Sequence, residues 1–289
     1  MSRHGVAGFA AAALAAVTLA ACTTEVGGTA ASGPDRGSAS ATTTPPASGD
    51  PARELAQPGE CVSGNDPSAV DCAEEHTVEI TEVGRFGGEF GDTPPEKATV
   101  FEAVFPTCRT VAARYLGNDG YDATTLGAWL MWAGEDDWRR GDRWYRCGVA
   151  QLSVDGEAMP RTGSAKGVLA GENLYEFQIC SAVQPSRSAP ERVPCAEPHV
   201  GEAIGVLPMG KPTDPLPSAE EFDAAARPAC RTMLAQYLGT GARDDVFASW
   251  RWPDQTNWRH GFTNLTCYAE TADPVTASLR DIGSAPLPR

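Results

Sequence analysis

The segment Cys108-Arg-Thr-Val-Ala-Ala-Arg-Tyr-Leu-Gly117 decides the fold, because it returns later in the chain as Cys230-Arg-Thr-Met-Leu-Ala-Gln-Tyr-Leu-Gly239. The two segments align without a gap and share seven of ten residues. Apolar residues recur in each at spacings of three and four, which predicts a helix with one buried face. The final glycine of each segment is placed to end the helix in the left-handed conformation. The chain therefore contains a duplicated helix.

Further landmarks surround both helices in the same order. The first copy has Cys61, Cys72, His76, Cys108 and Cys147, and the second has Cys180, Cys195, His199, Cys230 and Cys267. Four more residues stand at equal distances before the last cysteine of each copy: Trp132, Trp138, Arg139 and Gly141, and then Trp252, Trp258, Arg259 and Gly261. The repeat predicts two modules, residues 58–157 and 169–274, followed by a tail, 275–289.

The two modules have the same predicted order of elements along the chain. A short strand carries the first cysteine, and the alternating run Val78–Val83 predicts a strand with one buried face. The segments Thr93–Glu96 and Ser218–Glu221 have the form of capping boxes, so we expect the helices to start there.

Two further signals lie inside and after each helix. Pro106 and Pro228 stand two residues before the helical cysteines, so each helix either restarts there or is kinked. Two tryptophan-rich strands, joined by a turn at Trp138–Gly141, complete the first module. The predicted fold class is α+β, with two repeated small modules, each a helix packed on an antiparallel sheet and stabilised by disulfides.

The N-terminus has the order of a secretory signal. Arg3 and His4 precede an apolar run, Gly5–Leu19, which is short for a transmembrane helix. The run ends in Leu19-Ala-Ala-Cys22, which resembles the lipobox of bacterial lipoproteins. We therefore expect a signal peptide, residues 1–21, and lipidation of Cys22. The alternative is an ordinary secretory signal followed by a cysteine by coincidence.

Residues 22–57 are rich in Thr, Ala, Ser, Gly and Pro, and too poor in large apolar side chains to form a core. They predict a disordered tether. Together, the lipid and the tether place the protein at the cell membrane, on the extracytoplasmic face.

Cysteine usage in an exported chain predicts disulfides. Of nine cysteines, Cys22 belongs to the anchor, and the repeat leaves four in each module and three possible pairings among them. Short separations favour one pair in each module, and the helical cysteine needs a partner on the sheet that it covers. The predicted disulfides are Cys61–Cys72, Cys108–Cys147, Cys180–Cys195 and Cys230–Cys267.

The charge limits the classes of partner. The chain has 23 basic and 38 acidic residues, a net charge of −15, which disfavours nucleic acid because such binding depends on Lys and Arg. The first module carries a net charge of −11 and the second −6, so the two surfaces differ. The difference favours two distinct binding surfaces, or binding by one module, over simple bivalence.

The motifs Gly-Glu-Cys61-Val, Val-Asp-Cys72-Ala-Glu-Glu-His76 and Trp138-Arg-Arg-Gly141 resemble the actinobacterial septum-formation domain, here in tandem. The second copy departs from the pattern before its first cysteine, where it has Gln178-Ile179. The resemblance covers nearly all of residues 58–274. It implies an exported, envelope-associated protein with a link to cell division, and it supplies no catalytic residue.

His76 and His199 are the most distinctive polar residues, each three positions before a glutamate, Glu79 or Glu202. One interpretation is a His–Glu pair that acts in acid–base chemistry or contacts a ligand, because a carboxylate orients an imidazole and raises its basicity. The other is a structural histidine bonded to the backbone beside a disulfide. The structural role is favoured because no nucleophile recurs nearby.

Other site hypotheses carry less support. The Cys-x-x-x-His spacing could hold zinc, but zinc needs thiolates and exported cysteines oxidise. Trp138, Arg139, Trp258 and Arg259 could contact sugars or an anionic polymer, or could form a structural turn with solvated arginines. Glu135–Asp137 aligns with Gln255–Asn257, so a calcium site common to both modules is excluded, and a site in the first module alone stays open.

The leading functional hypothesis is a lipid-anchored, non-enzymatic envelope module that binds an envelope protein or a cell-wall polymer near the division site. The alternatives are an envelope hydrolase that uses the His–Glu pair and a purely structural spacer. No cofactor and no metal are expected. The sequence lacks a phosphate-binding glycine loop, a His-Glu-x-x-His motif and a Gly-x-Ser-x-Gly motif.

Overall fold

The computed structural model describes residues 55–171, 173–241 and 243–289. The predicted signal peptide, Cys22 and most of the tether lie outside the described residues. The tether's last residues, 55–57, pack on the first module: Ala56 is buried, and its carbonyl oxygen accepts a hydrogen bond from Arg146 Nε at 2.9 Å.

The first module is a five-stranded antiparallel sheet covered by a long helix. Its elements are β1 (Cys61–Val62), β2 (Val78–Arg85), α1 (Lys97–Leu116), β3 (Leu126–Trp132), α2 (Glu135–Arg139), β4 (Trp144–Leu152) and β5 (Ala158–Met159). The strand order is β1-β2-β4-β3, and β5 pairs with β4. Short 3₁₀ helices occupy Gly88–Phe90 and Tyr121–Ala123.

The second module repeats this architecture. A 3₁₀ helix, Asn173–Phe177, leads into β6 (Cys180–Ser181), β7 (Arg192–Val193), β8 (His199–Pro208), α3 (Ala219–Leu238), β9 (Val246–Arg251), α4 (Gln255–Arg259) and β10 (Asn264–Val275). Its strand order, β7-β6-β8-β10-β9, contains the order of the first module with one added edge strand. The predicted α+β class with two helix-on-sheet modules is confirmed.

The long helices bury the predicted apolar stripe. Cys108, Ala112 and Leu116 are fully enclosed in the first core, as are Cys230 and Leu238 in the second. Both helices end at a glycine with left-handed backbone, at φ 84° for Gly117 and 66° for Gly239.

The helix starts agree with the sequence in one module only. Ser218 is the N-cap of α3, and it forms a capping box with Glu221 as predicted. The prediction for Thr93–Glu96 is wrong, because α1 begins at Lys97 with Glu96 as its N-cap and no side-chain cap. Pro94 precedes another proline, which disfavours the helical conformation at the first turn that the box requires.

The internal prolines do not divide the helices. Both α1 and α3 run through 20 residues with Pro106 or Pro228 inside, so a restart is excluded. The hydroxyl of Thr110 donates to the carbonyl oxygen of Pro106 at 3.0 Å, and Thr232 makes the same contact to Pro228 at 3.1 Å.

The predicted tryptophan turn is a short helix in each module. Trp138 lies in α2 and Trp258 in α4, and both side chains are buried. Gly141 and Gly261 follow with φ of 91° and 90°, which lets the chain return toward the next strand.

The four predicted disulfides are confirmed as Cys61–Cys72, Cys108–Cys147, Cys180–Cys195 and Cys230–Cys267. Two of them join a long helix to the central strand below it, and their sulfur atoms lie in the cores. The helix and sheet of each module are thus covalently linked.

A segment after each sheet packs back onto its module. Ala165 and Leu169 belong to the first core, and Val275 and Leu279 belong to the second. We call residues 161–169 and 275–283 the first and second straps. Apart from residue 169, they lie outside the two modules predicted from the repeat, and the second strap occupies the predicted tail.

The two modules touch directly. Arg109 Nε donates to the carbonyl oxygen of Gly261 at 2.8 Å, and the Arg109 guanidinium lies 3.8 Å from the centre of the Phe262 ring. Asn264 donates to Asp122 at 2.8 Å. Of the helices in the described part of the chain, none combines the length and the apolar character that a membrane span requires.

Candidate functional site

Both candidate histidines are enclosed beside a disulfide. His76 and His199 are 0% exposed. Their Nδ1 atoms contact the carbonyl oxygens of Glu74 at 3.0 Å and Glu197 at 2.7 Å. Each ring therefore bonds to the turn that precedes its strand, which is the contact expected of a structural histidine.

In the second module, a single buried carboxylate collects three donors. Glu202 accepts from His199 Nε2 at 2.9 Å and from the Tyr237 hydroxyl at 2.7 Å. The backbone N–H of Leu279, on the second strap, lies 3.0 and 3.1 Å from its two oxygens. Glu202 thus joins the sheet, α3 and the strap. We call Glu202, His199, Tyr237 and Leu279 the second carboxylate cluster.

The first module builds the same cluster with a different third donor. Glu79 accepts from the Tyr115 hydroxyl, from Ser164 Oγ at 2.6 Å and from the Ala165 backbone N–H at 2.6 Å. These residues form the first carboxylate cluster. His76 does not bond to Glu79, and its Nε2 is buried without a hydrogen-bond partner. The His–Glu pair considered from the sequence therefore forms only in the second module, because other donors occupy Glu79.

The tyrosines of both clusters stay protonated. Burial raises the pKa of Tyr115 to about 12, and its hydrogen bond to Glu79 acts in the same direction. Burial and the Glu202 charge raise the pKa of Tyr237 well above its ordinary value. Both hydroxyls are therefore hydrogen-bond donors to carboxylates across the neutral range.

The sequence indicated the glutamates and not their partners. Tyr115 and Tyr237 occupy matching positions in the duplicated helix, on its predicted apolar face. Ser164 and Ser278 precede the strap residues that donate to the carboxylates, outside the predicted modules. Ser164 follows Cys147 by 17 residues and Ser278 follows Cys267 by 11, so the equal offsets that define the repeat do not mark them.

The second cluster predicts a pH dependence of stability. Burial lowers the pKa of His199, but the Glu202 hydrogen bond, the Glu197 carbonyl and the Glu202 charge outweigh it, so the pKa is raised. Because the pKa is higher in the folded state, protonated His199 contributes its full stabilisation below about pH 6.5, the ordinary pKa. That contribution is lost as the pH rises through the pKa of the folded state.

We therefore compare the free energies of unfolding of the parent and of His199→Gln. The advantage of the parent should decrease as the pH is raised from 6 to 9. Urea unfolding at several pH values measures this difference. A difference that stays flat or grows with pH would contradict the protonated pair.

Neither cluster offers zinc its usual ligands. Two groups of potential ligands lie close together, Cys61, Cys72 and Glu79 in one module and Cys180, His199 and Glu202 in the other. Their cysteines are in disulfides, so they cannot supply thiolates.

The tryptophan and arginine candidates separate into core and surface. Trp138 is 1% exposed under the Arg143 guanidinium, which lies 4.1 Å from the ring centre, and Trp258 donates to the Asp214 carbonyl oxygen at 2.8 Å. Arg139 forms an exposed ion pair with Asp136, and Arg259 lies 3.7 Å from Glu102. The buried rings cannot stack on a sugar.

Comparison with known proteins supports a tandem arrangement of two related domains. The family model described as septum formation matches twice, at residues 21–130 and 121–267. The chain belongs to the septum formation family. The two matches together extend over both modules, so the family's domain is present in tandem.

Two relatives of this septum formation chain come from different strains of Mycobacterium tuberculosis, and both are described as an uncharacterized membrane protein. Each is 28% identical over 195 residues, which is 62% of this chain and 43% of the relative. The chain thus spans less than half the length of these relatives. No solved structure matches it.

Proposed function

We propose that the protein is a lipid-anchored envelope protein on the extracytoplasmic face, with a non-enzymatic binding role linked to septum formation or cell-wall processes. The family description and the membrane description of the mycobacterial relatives support the envelope and septum parts of this proposal. The junction at Cys22 and the disulfides support export.

The enclosure of the second carboxylate cluster, which holds the His–Glu pair, favours binding over hydrolysis. His199 and Glu202 are 0% exposed, and their polar atoms already bond to one another, to the backbone and to Tyr237. A general base must come within hydrogen-bond reach of the proton that it takes. A substrate would have to displace the second strap to reach the second cluster. The first cluster borders an open pocket, but three donors already occupy Glu79 and His76 does not bond to it, so we assign both clusters to the fold.

The anchor is tested by replacing one residue. In Cys22→Ala we expect an exported protein that leaves the membrane fraction after washing, because the proposed lipid is then absent. Fractionation of cells that express the parent and the variant measures this. A variant with a cleaved signal that stays membrane-bound would show that another anchor exists.

Cross-linking in intact cells tests the binding role. We expect the anchored parent to cross-link to a specific envelope protein or cell-wall polymer. The Cys22→Ala protein should lose this cross-link because it is no longer held at the membrane. Purified parent should leave isolated cell wall uncleaved. Wall fragments released by the parent would favour the hydrolase instead.

A further inference from the structure

A cleft of about 230 Å³ lies between the two modules. Its floor is the face of the second sheet that points away from α3. Cys267 faces α3 through its disulfide, so the alternating neighbours Asn264, Thr266 and Tyr268 face the cleft. The wall from the first module includes Tyr121 and Asp122.

Two arginines in this cleft make no side-chain hydrogen bond or ion pair with any residue that the structure describes. Arg251 lies opposite Thr266 in the sheet register, and its Nε is buried without a hydrogen-bond acceptor. Arg192, on β7, makes no hydrogen bond or ion pair through its side chain within the described residues. Burial lowers the pKa of Arg192, and Tyr268 and the Asp122 charge act against that shift without cancelling it.

The carboxylate in the cleft, Asp122, is already bonded to other residues that line it. Both oxygens of Asp122 lie 2.7 Å from Arg109 Nη2, and one of them also accepts from Asn264. Among the described residues that line the cleft, one carboxylate faces three guanidiniums, an excess of two positive charges. This excess is unusual in a chain whose net charge is −15.

Tyr268, also on the floor of the cleft, is a hydrogen-bond donor. Burial raises the pKa of Tyr268 to about 12, although Arg192 and Arg251 act against the rise. The Tyr268 hydroxyl is therefore protonated, and it makes no hydrogen bond within the described part of the chain. Two guanidiniums and a hydroxyl thus face one space, and all of them donate.

Desolvated positive charge without a partner is costly, and an anion in the cleft would offset that cost. Arginine forks match the geometry of carboxylate and phosphate oxygens, with two parallel hydrogen bonds each. At the rim, Trp252 is 38% exposed, so an apolar stem next to the anion has a ring to contact. The volume suits the end group of a ligand better than a whole drug-sized molecule.

We propose that this inter-module cleft binds an oxyanion, a carboxylate or phosphate group at the end of a ligand, through Arg192, Arg251 and Tyr268. The inference rests on the proposed binding function and names its site and ligand class. The three binding residues belong to the second module, and the first module supplies the facing wall with Tyr121 and Asp122.

The test uses the purified chain with its disulfides intact. Inorganic phosphate and acetate are titrated separately against chloride at constant ionic strength, with binding followed by calorimetry. We expect a Kd of about 1 mM or tighter for at least one of them. Binding of phosphate alone, or of acetate alone, identifies which oxyanion the site takes.

Variants locate the site. Arg251→Gln and Arg192→Gln should each weaken binding about tenfold or more, since each removes a charged hydrogen-bond donor pair. Arg187→Gln, which removes an exposed arginine elsewhere, should bind as the parent does. The melting temperature of Arg251→Gln without ligand should equal or exceed that of the parent, because an unpaired charge is lost.

Three results would overturn the proposal: no binding of either anion, binding unchanged in both cleft variants, or equal weakening in Arg187→Gln. If Arg251→Gln failed to fold, Arg192→Gln would decide alone. Failure of the cleft would leave the cross-linking test of the binding function untouched, so the two outcomes are distinguishable.

Discussion

Replacing Glu202 with glutamine should destabilise the second module by about 3 to 5 kcal/mol, the range for breaking a buried charged pair. Glutamine keeps the volume of the side chain, but it removes the charge that faces His199. It also places an amide N–H₂ group among donors that already point inward, from Tyr237 and Leu279. Urea unfolding of parent and variant measures the loss.

The control for this prediction is Glu220→Gln, on the exposed side of α3, which should change stability by less than about 0.5 kcal/mol. Tyr237→Phe removes one donor and should cost about 1 to 3 kcal/mol. A free energy of unfolding of Glu202→Gln within about 1 kcal/mol of the parent value would show that the carboxylate does not stabilise the module as proposed.

Removal of the helix-to-sheet disulfide in the second module should cost about 4 kcal/mol by loop entropy. Cys230 and Cys267 stand 37 residues apart, so the bond closes a long loop. Both sulfurs are in the core, and the double variant Cys230→Ala with Cys267→Ala leaves a small cavity as well. Denaturant unfolding of the variant and the oxidised parent gives the difference.

The matched comparison is Cys61→Ala with Cys72→Ala, whose bond spans 11 residues and should contribute nearer 3 kcal/mol. This pair lies at the start of the first sheet, where it links β1 to the following turn. A double variant at Cys230 and Cys267 that is as stable as the parent would mean that packing alone holds α3 on its sheet.

The parts of the fold that the sequence predicted depend on short-range patterns. The duplicated helix, the strand at Val78–Val83 and the glycine caps follow from spacing within one element. The disulfide pairs followed because the repeat reduced the possible pairings to a few. The start of α1 was mispredicted because two prolines follow Thr93, and the capping pattern does not describe them.

The parts that the sequence did not reveal depend on contacts between distant segments. Ala165 and Leu279 donate through their backbone N–H groups, which any residue carries, so no side chain marks them. The difference between His76 and His199 depends on which other donors reach the neighbouring glutamate. The inter-module cleft brings together Arg192 and Arg251, from opposite edges of one sheet, and no spacing in the chain indicates that.

We conclude that the buried histidines and the carboxylate clusters hold the fold and that function lies in binding elsewhere. The direct measurement compares His76→Ala and His199→Ala with the parent, both for melting temperature and for cross-linked partners in cells at a temperature where all three are folded. We predict lower melting temperatures and unchanged partners. An unchanged melting temperature together with lost partner binding, or with lost cleavage of cell wall, would contradict the claim.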